Sequence, residues 1–183
     1  MGFAQFYEGI VDAMTRLVGH TGRDLALLKG EVDAAGLDIE DWLVLERQNP
    51  GGFHQLFRYY EEFPDVLIGV FAVRREWAES HAEIVKDFVR VYLTAIRRVY
   101  QEPNLLREEI GKRLELEPAD AEASAQAALD QRIWDANGGL TPQSIETTLG
   151  FLVSSGAVPA ALTASDVADL SYLNTVLDEI GRQ

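Results

Sequence analysis

No cysteine occurs in these 183 residues, and that absence removes disulfides, thiolate metal sites and cysteine nucleophiles together. It also leaves the redox compartment unread. Histidine is scarce: His20, His54 and His81 are the three, and none stands at a metal-ligand spacing from another residue. Positive charge is short as well, with 16 Lys and Arg against 30 Asp and Glu and a formal net charge of -14. Such a balance repels phosphate backbones and anionic lipid surfaces, so no nucleic-acid partner is expected. The nearest approach to a basic patch, Arg90 with Arg97 and Arg98, lies at helical spacing beside Glu83 and Asp87 and reads as a solvated helix face. No apolar run is long enough to span a bilayer. The opening MGFAQFYEGIVDAMTRLV lacks a basic start, and Glu8 and Asp12 interrupt it where a secretion signal is most apolar. Phe6 stands where a myristoylation motif wants Ser or Thr.

Catalytic signatures are missing too. The pairs Gly51, Gly52 and Gly138, Gly139 are isolated and read as turns, not as a phosphate cradle with its strand, fixed offsets and following helix. No serine sits in a G-x-S-x-G elbow, and no single pair of the many carboxylates is nominated as acid and base. The expectation is a protein that is not an enzyme, with no cofactor and no metal.

What is there is a chain 47% apolar, enough to bury a core in one domain or one and a half. Phe3, Phe6, Ile10, Met14 and Leu17 predict an amphipathic helix over 3–18. A short helix over 22–29 follows, with Thr21 as its cap and Gly30 closing it in a left-handed turn. EVDAAGLD (31–38) and DWLVLER (41–47) read as short strands, and Asn49, Pro50, Gly51 and Gly52 as a loop. Residues 66–73, VLIGVFAV, are apolar at every position, valine-rich and bounded by Pro64 and by Arg74 and Arg75. They read as a strand covered on both faces, with a buried helix as the weaker alternative. Ser80 and Glu83 then form a capping box, and Ile84, Phe88, Val91, Tyr92, Ala95 and Val99 line one face of a long helix that stops near Pro103. Further helices are predicted over 104–114, 119–135, 142–155 and 172–180; the third of these has Thr141 as cap, Pro142 in its first turn and Gly156 past its end. Strands thus come early and helices late, with a boundary at the octet.

Candidate ligand contacts gather around the 49–52 loop. Trp42, Phe53, Phe57, Tyr59 and Tyr60 could stack a flat ligand, although core packing is the stronger reading for any one of them. Asp38, Glu40 and Asp41 suit a ligand bearing an amino or ring-nitrogen donor; an acidic helix start explains them as well. Asp38, Trp42, Gly51, Gly52 and Phe53 form the candidate site, placed near predicted strand ends where open α/β sheets bind ligands.

Several stretches, in order, resemble one family. ALLKGEVDAAGLD (26–38) is similar to the segment where a leucine-bearing helix ends at a glycine before a strand in periplasmic substrate-binding proteins of ABC importers, the nitrate, sulfonate and thiamine-pyrimidine-precursor type. GVFAVRREWAESHAEIVKDFVRVYLTAIRR resembles the strand, aromatic (Trp77), cap and long helix that come next. GGLTPQSIETTLGFLVSSGAV and DLSYLNTVLDEIG resemble the closing helices.

The resemblance implies an incomplete α/β fold of the type II periplasmic-binding-protein kind, with a few early strands and a predominantly helical C-terminal half. Residues 1–75 would be the remnant of the ligand-binding lobe and 76–183 the helical part that completes it. The implied function is the solute-binding component of an importer for a small organic solute (a sulfonate, a taurine-like compound or a pyrimidine precursor), with that solute and an ABC permease as partners. The implied location is periplasmic or extracytoplasmic, or cytoplasmic if Met1 is the true start. The family's signal peptide and leading strands have no counterpart, so the chain is expected to be a C-terminal portion. A related thiamine-pyrimidine synthase relies on cysteine-bearing motifs that are absent here. The alternative reading is a non-transporting helical interaction module, or a homodimerising remnant, whose bare apolar surface a partner or second copy must cover.

Overall fold

The computed structural model describes residues 22–183; the predicted helix over 3–18, the Thr21 cap and His20 lie outside the described residues. Among the described residues every regular element is a helix, so the expected α/β arrangement with early strands does not form. Residues 31–38 are irregular, and 41–47 belong to a helix, Ile39–Gln48. The helix wins there for local reasons: Asp38 occupies the N-cap position, Glu40 and Asp41 fill the first turn and Arg47 the last, each charge opposing the helix dipole. The octet 66–73 takes no regular structure. A strand is stabilised only by a neighbour's ladder, and no described segment offers one.

The chain divides into two units. One joins the described residues up to Gln55 to Pro103–Gln131, the other joins Leu56–Glu102 to Arg132–Gln183. In the first, α1 (Arg23–Leu28) and α2 (Ile39–Gln48) are followed, later in the chain, by α6 (Pro103–Arg113) and α7 (Pro118–Asp130). Ala121, Ala125 and Ala128 recur at helical spacing on α7 and are all buried. These small side chains let neighbours come close: a Cβ on Gly111 of α6 would meet that of Ala121 at 3.3 Å. Leu45 of α2 and Leu106 of α6 complete this core. Asp120, buried in the first turn of α7, accepts both prongs of the Arg47 guanidinium at 2.6 Å each, a planar fork that ties α2 to α7.

The second unit holds α3 (Tyr59–Glu62), α4 (Arg75–Ser80), α5 (Ala82–Gln101), α8 (Pro142–Ser154), α9 (Ala164–Val167) and α10 (Ser171–Ile180). Its centre is the seam between α5 and α10, where Leu93, Val176 and Leu177 are fully buried and Val89, Tyr92, Leu173 and Ile180 pack around them. Only part of the predicted apolar face of α5 packs: Tyr92 and Val99 are half-buried, Tyr92 against the core. Ile84, Phe88, Val91 and Ala95 are exposed, while Leu93, Ile96 and Arg97 are buried. Arg97, read from sequence as part of a solvated face, is instead a buried cation. Its guanidinium donates to the carbonyls of Ala136 (3.0 Å), Ile180 (3.3 Å) and Gly181 (2.7 Å) and to Asn137 Oδ1 (3.3 Å). It thereby satisfies the orphan carbonyls at the C-terminal end of α10, where the helix dipole favours a positive charge.

The start of α5 also differs from expectation. Ser80 ends α4, its hydroxyl donating back to the Glu76 and Trp77 carbonyls, and the N-cap position of α5 falls to His81, with no side-chain cap hydrogen bond. His81 stands at the break, its ring stacked on that of Trp77 with centroids 4.6 Å apart. Where start and stop signals are local chemistry, the expected helices form. Thr141 Oγ1 accepts from the Ser144 amide at 3.0 Å while Ser144 Oγ accepts from the Thr141 amide at 2.9 Å, opening α8 at Pro142. Gly30 and Gly156 take φ of 67° and 75° beyond α1 and α8, the left-handed turn that closes a helix without a Cβ clash. α7 stops at Asp130, short of the predicted 135, as Arg132 turns to φ 47° with its guanidinium 5.1 Å from the Tyr100 ring centroid.

Two outcomes follow from these contacts. Arg97→Met keeps the length of the side chain but leaves three carbonyls without a donor; it is expected to destabilise the protein by about 3 kcal/mol in urea unfolding, the cost of unsatisfied buried acceptors. At α9, Asp166 Oδ2 accepts from the Thr163 hydroxyl (2.6 Å) and amide (2.8 Å), and these bonds hold its carboxyl below the ordinary 3.8. A depressed carboxyl contributes stability above its unfolded value and loses it as pH falls through the folded one. An NMR titration of Asp166 is expected to give a midpoint below 3.8 that rises toward the ordinary value in Thr163→Ala.

Candidate functional site

The five residues expected to contact ligand all lie in the first unit, at the two ends of one helix. Asp38 occupies the N-cap of α2, its carbonyl accepting from the Trp42 amide at 3.0 Å, and Trp42 is half-buried on the first turns. Gly51, Gly52 and Phe53 follow the C-terminal end, beyond Asn49. Ten helical residues separate the two groups, a rise of about 15 Å, so the helix brings Gly51 to Phe53 together but not with Asp38. The turn itself closes on its own atoms. The Gly51 amide donates to Glu46 Oε1 at 3.1 Å and the Gly52 amide to the Asn49 carbonyl at 3.0 Å. The Asn49 side chain covers Gly52 so closely that a Cβ there would lie 2.3 Å from its Nδ2.

The aromatics beyond the loop occupy one another. Phe57 meets Tyr59 edge-on at 5.3 Å, Tyr59 lies 6.2 Å from Phe63, and Phe63 lies 5.8 Å from Phe151 of α8. A small cleft of about 190 Å³ is lined by Arg132, Trp134, Asp135, Ala136, Asn137 and Gln183, residues outside the expected site. Its polar atoms are turned inward on the fold: Asn137 exchanges hydrogen bonds with Gln183, and the Tyr100 hydroxyl donates to the Trp134 carbonyl at 2.7 Å. Among the described residues no group of three or more His, Asp or Glu is placed to hold a metal ion, and no helix is long and apolar enough to cross a membrane.

The feature sequence reasoning missed is the exposure of the octet itself. Ile68 is 80% exposed, Val70 65%, Phe71 68% and Val73 52%. Phe71 rests edge-on against Phe88 at 5.0 Å and Tyr92 at 4.9 Å, which joins the octet to the exposed stripe Ile84, Phe88 and Val91 of α5. The start of the segment is anchored: the Leu67 amide donates to Thr148 Oγ1 of α8 at 2.8 Å. From 68 to 73 no backbone amide bonds to another described residue. These residues leave on the order of 100 Å² each in water, so together they exceed the few hundred Å² of contiguous apolar surface that monomers carry. Asp65 precedes the octet and Arg74 follows it, both exposed. The uninterrupted apolar run between charges was the available signal; reading it as buried assigned it a cover that the described residues do not provide.

Comparison with protein-family models, with curated proteins and with solved structures finds no match in any of the three.

The closure of the 49–52 turn is testable. Gly52→Ala is expected to cost about 1 kcal/mol in urea unfolding through overpacking, and the loss is expected to disappear in an Asn49→Ala background. Additive losses in the double-mutant cycle would show that the Asn49 side chain does not hold the turn.

Proposed function

We propose that this protein is a helical interaction module, and that its working surface is the apolar strip formed by residues 68–73 and the Ile84, Phe88, Val91 stripe of α5. One observation carries the reading: large aliphatic and aromatic side chains are contiguous, bare and joined to backbone amides that have no partner among the described residues. Both groups gain by being covered, the side chains by leaving water and the amides by finding acceptors. Nothing in the reading asks for bond making.

The solute-binding reading, with a sulfonate or pyrimidine-like ligand and a permease partner, is supported by the order of the segments that resemble the importer family. Its premise of a sheet with the octet inside is not met. A lobe absent from these residues would leave a bare apolar surface, and the same strip is consistent with that. Titration calorimetry with a panel of such solutes separates the two readings, since an interaction module is expected to give no heat with any of them.

The strip itself is tested by hydrogen exchange on the full chain. Amides 68–73 are expected to exchange as fast as an unstructured peptide at low micromolar concentration, while amides of α5 around Leu93 are protected. Slow exchange of 68–73 in a sample of monomeric mass would mean that the chain covers its own strip, and the reading would fail.

A further inference from the structure

The exposed octet has a charge pattern that selects one occupant. Asp65 stands immediately before it, Arg74 immediately after, and no charged residue lies between. Neither side chain enters an ion pair with another described residue, in contrast to the paired Arg90, Arg98 and Arg113 of the helices. A segment with an acid at one end, a base at the other and an apolar middle is complementary to itself reversed. Aligned antiparallel with a second copy about its Gly69–Val70 centre, residue 65 of each chain faces residue 74 of the other. The apolar positions then pair among themselves, 66 with 73, 67 with 72 and 68 with 71.

Resting on the proposed interaction reading, we propose that the partner is a second copy of this chain, and that two octets pair antiparallel across a two-fold axis. A two-fold contact must be self-complementary, and this one is, in charge as well as in apolar character. Valine, isoleucine and phenylalanine favour the pleated surface such pairing makes, and it supplies acceptors for amides that have none among the described residues. An isolated two-stranded ribbon is marginal in water and needs a packed face; Phe71, already against Phe88 and Tyr92, ties each strand to its own α5. The strip offers on the order of 700 Å² per copy, close to the roughly 800 Å² each partner contributes to a standard interface. Parallel pairing would set Asp65 against Asp65 and Arg74 against Arg74, so charge excludes it.

Charge reversal tests the register. Both positions are exposed, so Asp65→Arg and Arg74→Asp are expected to leave the fold intact, as circular dichroism can verify. Sedimentation velocity over a concentration series is expected to show a dimer for the natural chain, and a dissociation constant raised about tenfold or more for each variant alone, since like charges then face one another. Mixing the two variants restores opposite charges at both ends of a mixed pair, so the mixture is expected to dimerise like the natural chain, with amides 68–73 slowed in exchange. Recovery on mixing is an outcome that a general loss of apolar contact does not produce. A natural chain that stays monomeric into the high micromolar range while 68–73 exchange freely would overturn the second-copy assignment and leave the interaction reading standing with a different partner. A dimer indifferent to both reversals would overturn the octet as its interface.

Discussion

α5 carries apolar side chains on more of its circumference than its one main neighbour can cover, and the arrangement of the second unit follows from that mismatch. Leu93 and Val89 face α10, whereas Ile84, Phe88 and Val91 point elsewhere. At 3.6 residues per turn the two stripes lie about 150° apart, bridged by Val85 and Tyr92. A helix of the width of α10 seals one of them. The choice of stripe is reinforced by Arg97, whose buried guanidinium fits only where carbonyls converge, at the end of α10 and the Ala136 turn. Rotating α5 to bury Phe88 instead would bring Arg97 out of that carbonyl nest and leave three acceptors unmet, a loss that added apolar contact does not obviously offset.

Once Phe88 is committed to the surface, Phe71 has somewhere to sit and the octet has somewhere to be. It is held at its start by Leu67 and Thr148 and at Phe71 by two rings, but its backbone finds no ladder to join among the described residues. The result is a segment tethered at side chains and open along its main chain. A surface of this kind differs from scattered apolar residues on a monomer, because directional hydrogen-bonding groups accompany the area.

What could be read from the sequence divides along the range of the interaction involved. α8 was legible to within a residue because Thr141, Pro142 and Gly156 act on backbone atoms a few positions away. α1 and its Gly30 turn were legible for the same reason. Residues 41–47 were misread although the helix signal was present: Asp38, Glu40 and Asp41 before them and Arg47 at their end form a dipole-matched pair of termini, and the acidic helix start weighed against a ligand role is the one that forms. The octet failed differently. Its composition reports β preference correctly, but a strand is made by two segments, and the second one is not encoded next to the first. Arg97 was illegible because spacing shows that residues share a helix face without showing which face finds a neighbour.

Net charge sharpens what such a surface can meet. With a formal charge of -14, two copies repel at distance, and only a region whose own charge sums to near zero allows them to approach. Screening at physiological ionic strength confines the remaining repulsion to about 8 Å, so the charges that decide the encounter are those beside the contact. Over residues 65–74 one acid and one base bracket an uncharged middle, so this stretch of an acidic chain sums to zero. Apolar area alone would let the octet associate in either direction and in several registers, which is the usual route from an exposed strand to aggregation. The terminal charges remove that freedom: a slip of two residues unpairs both ends, and reversal of direction opposes like signs. Specificity on this surface therefore resides in the two side chains that contribute least to its area.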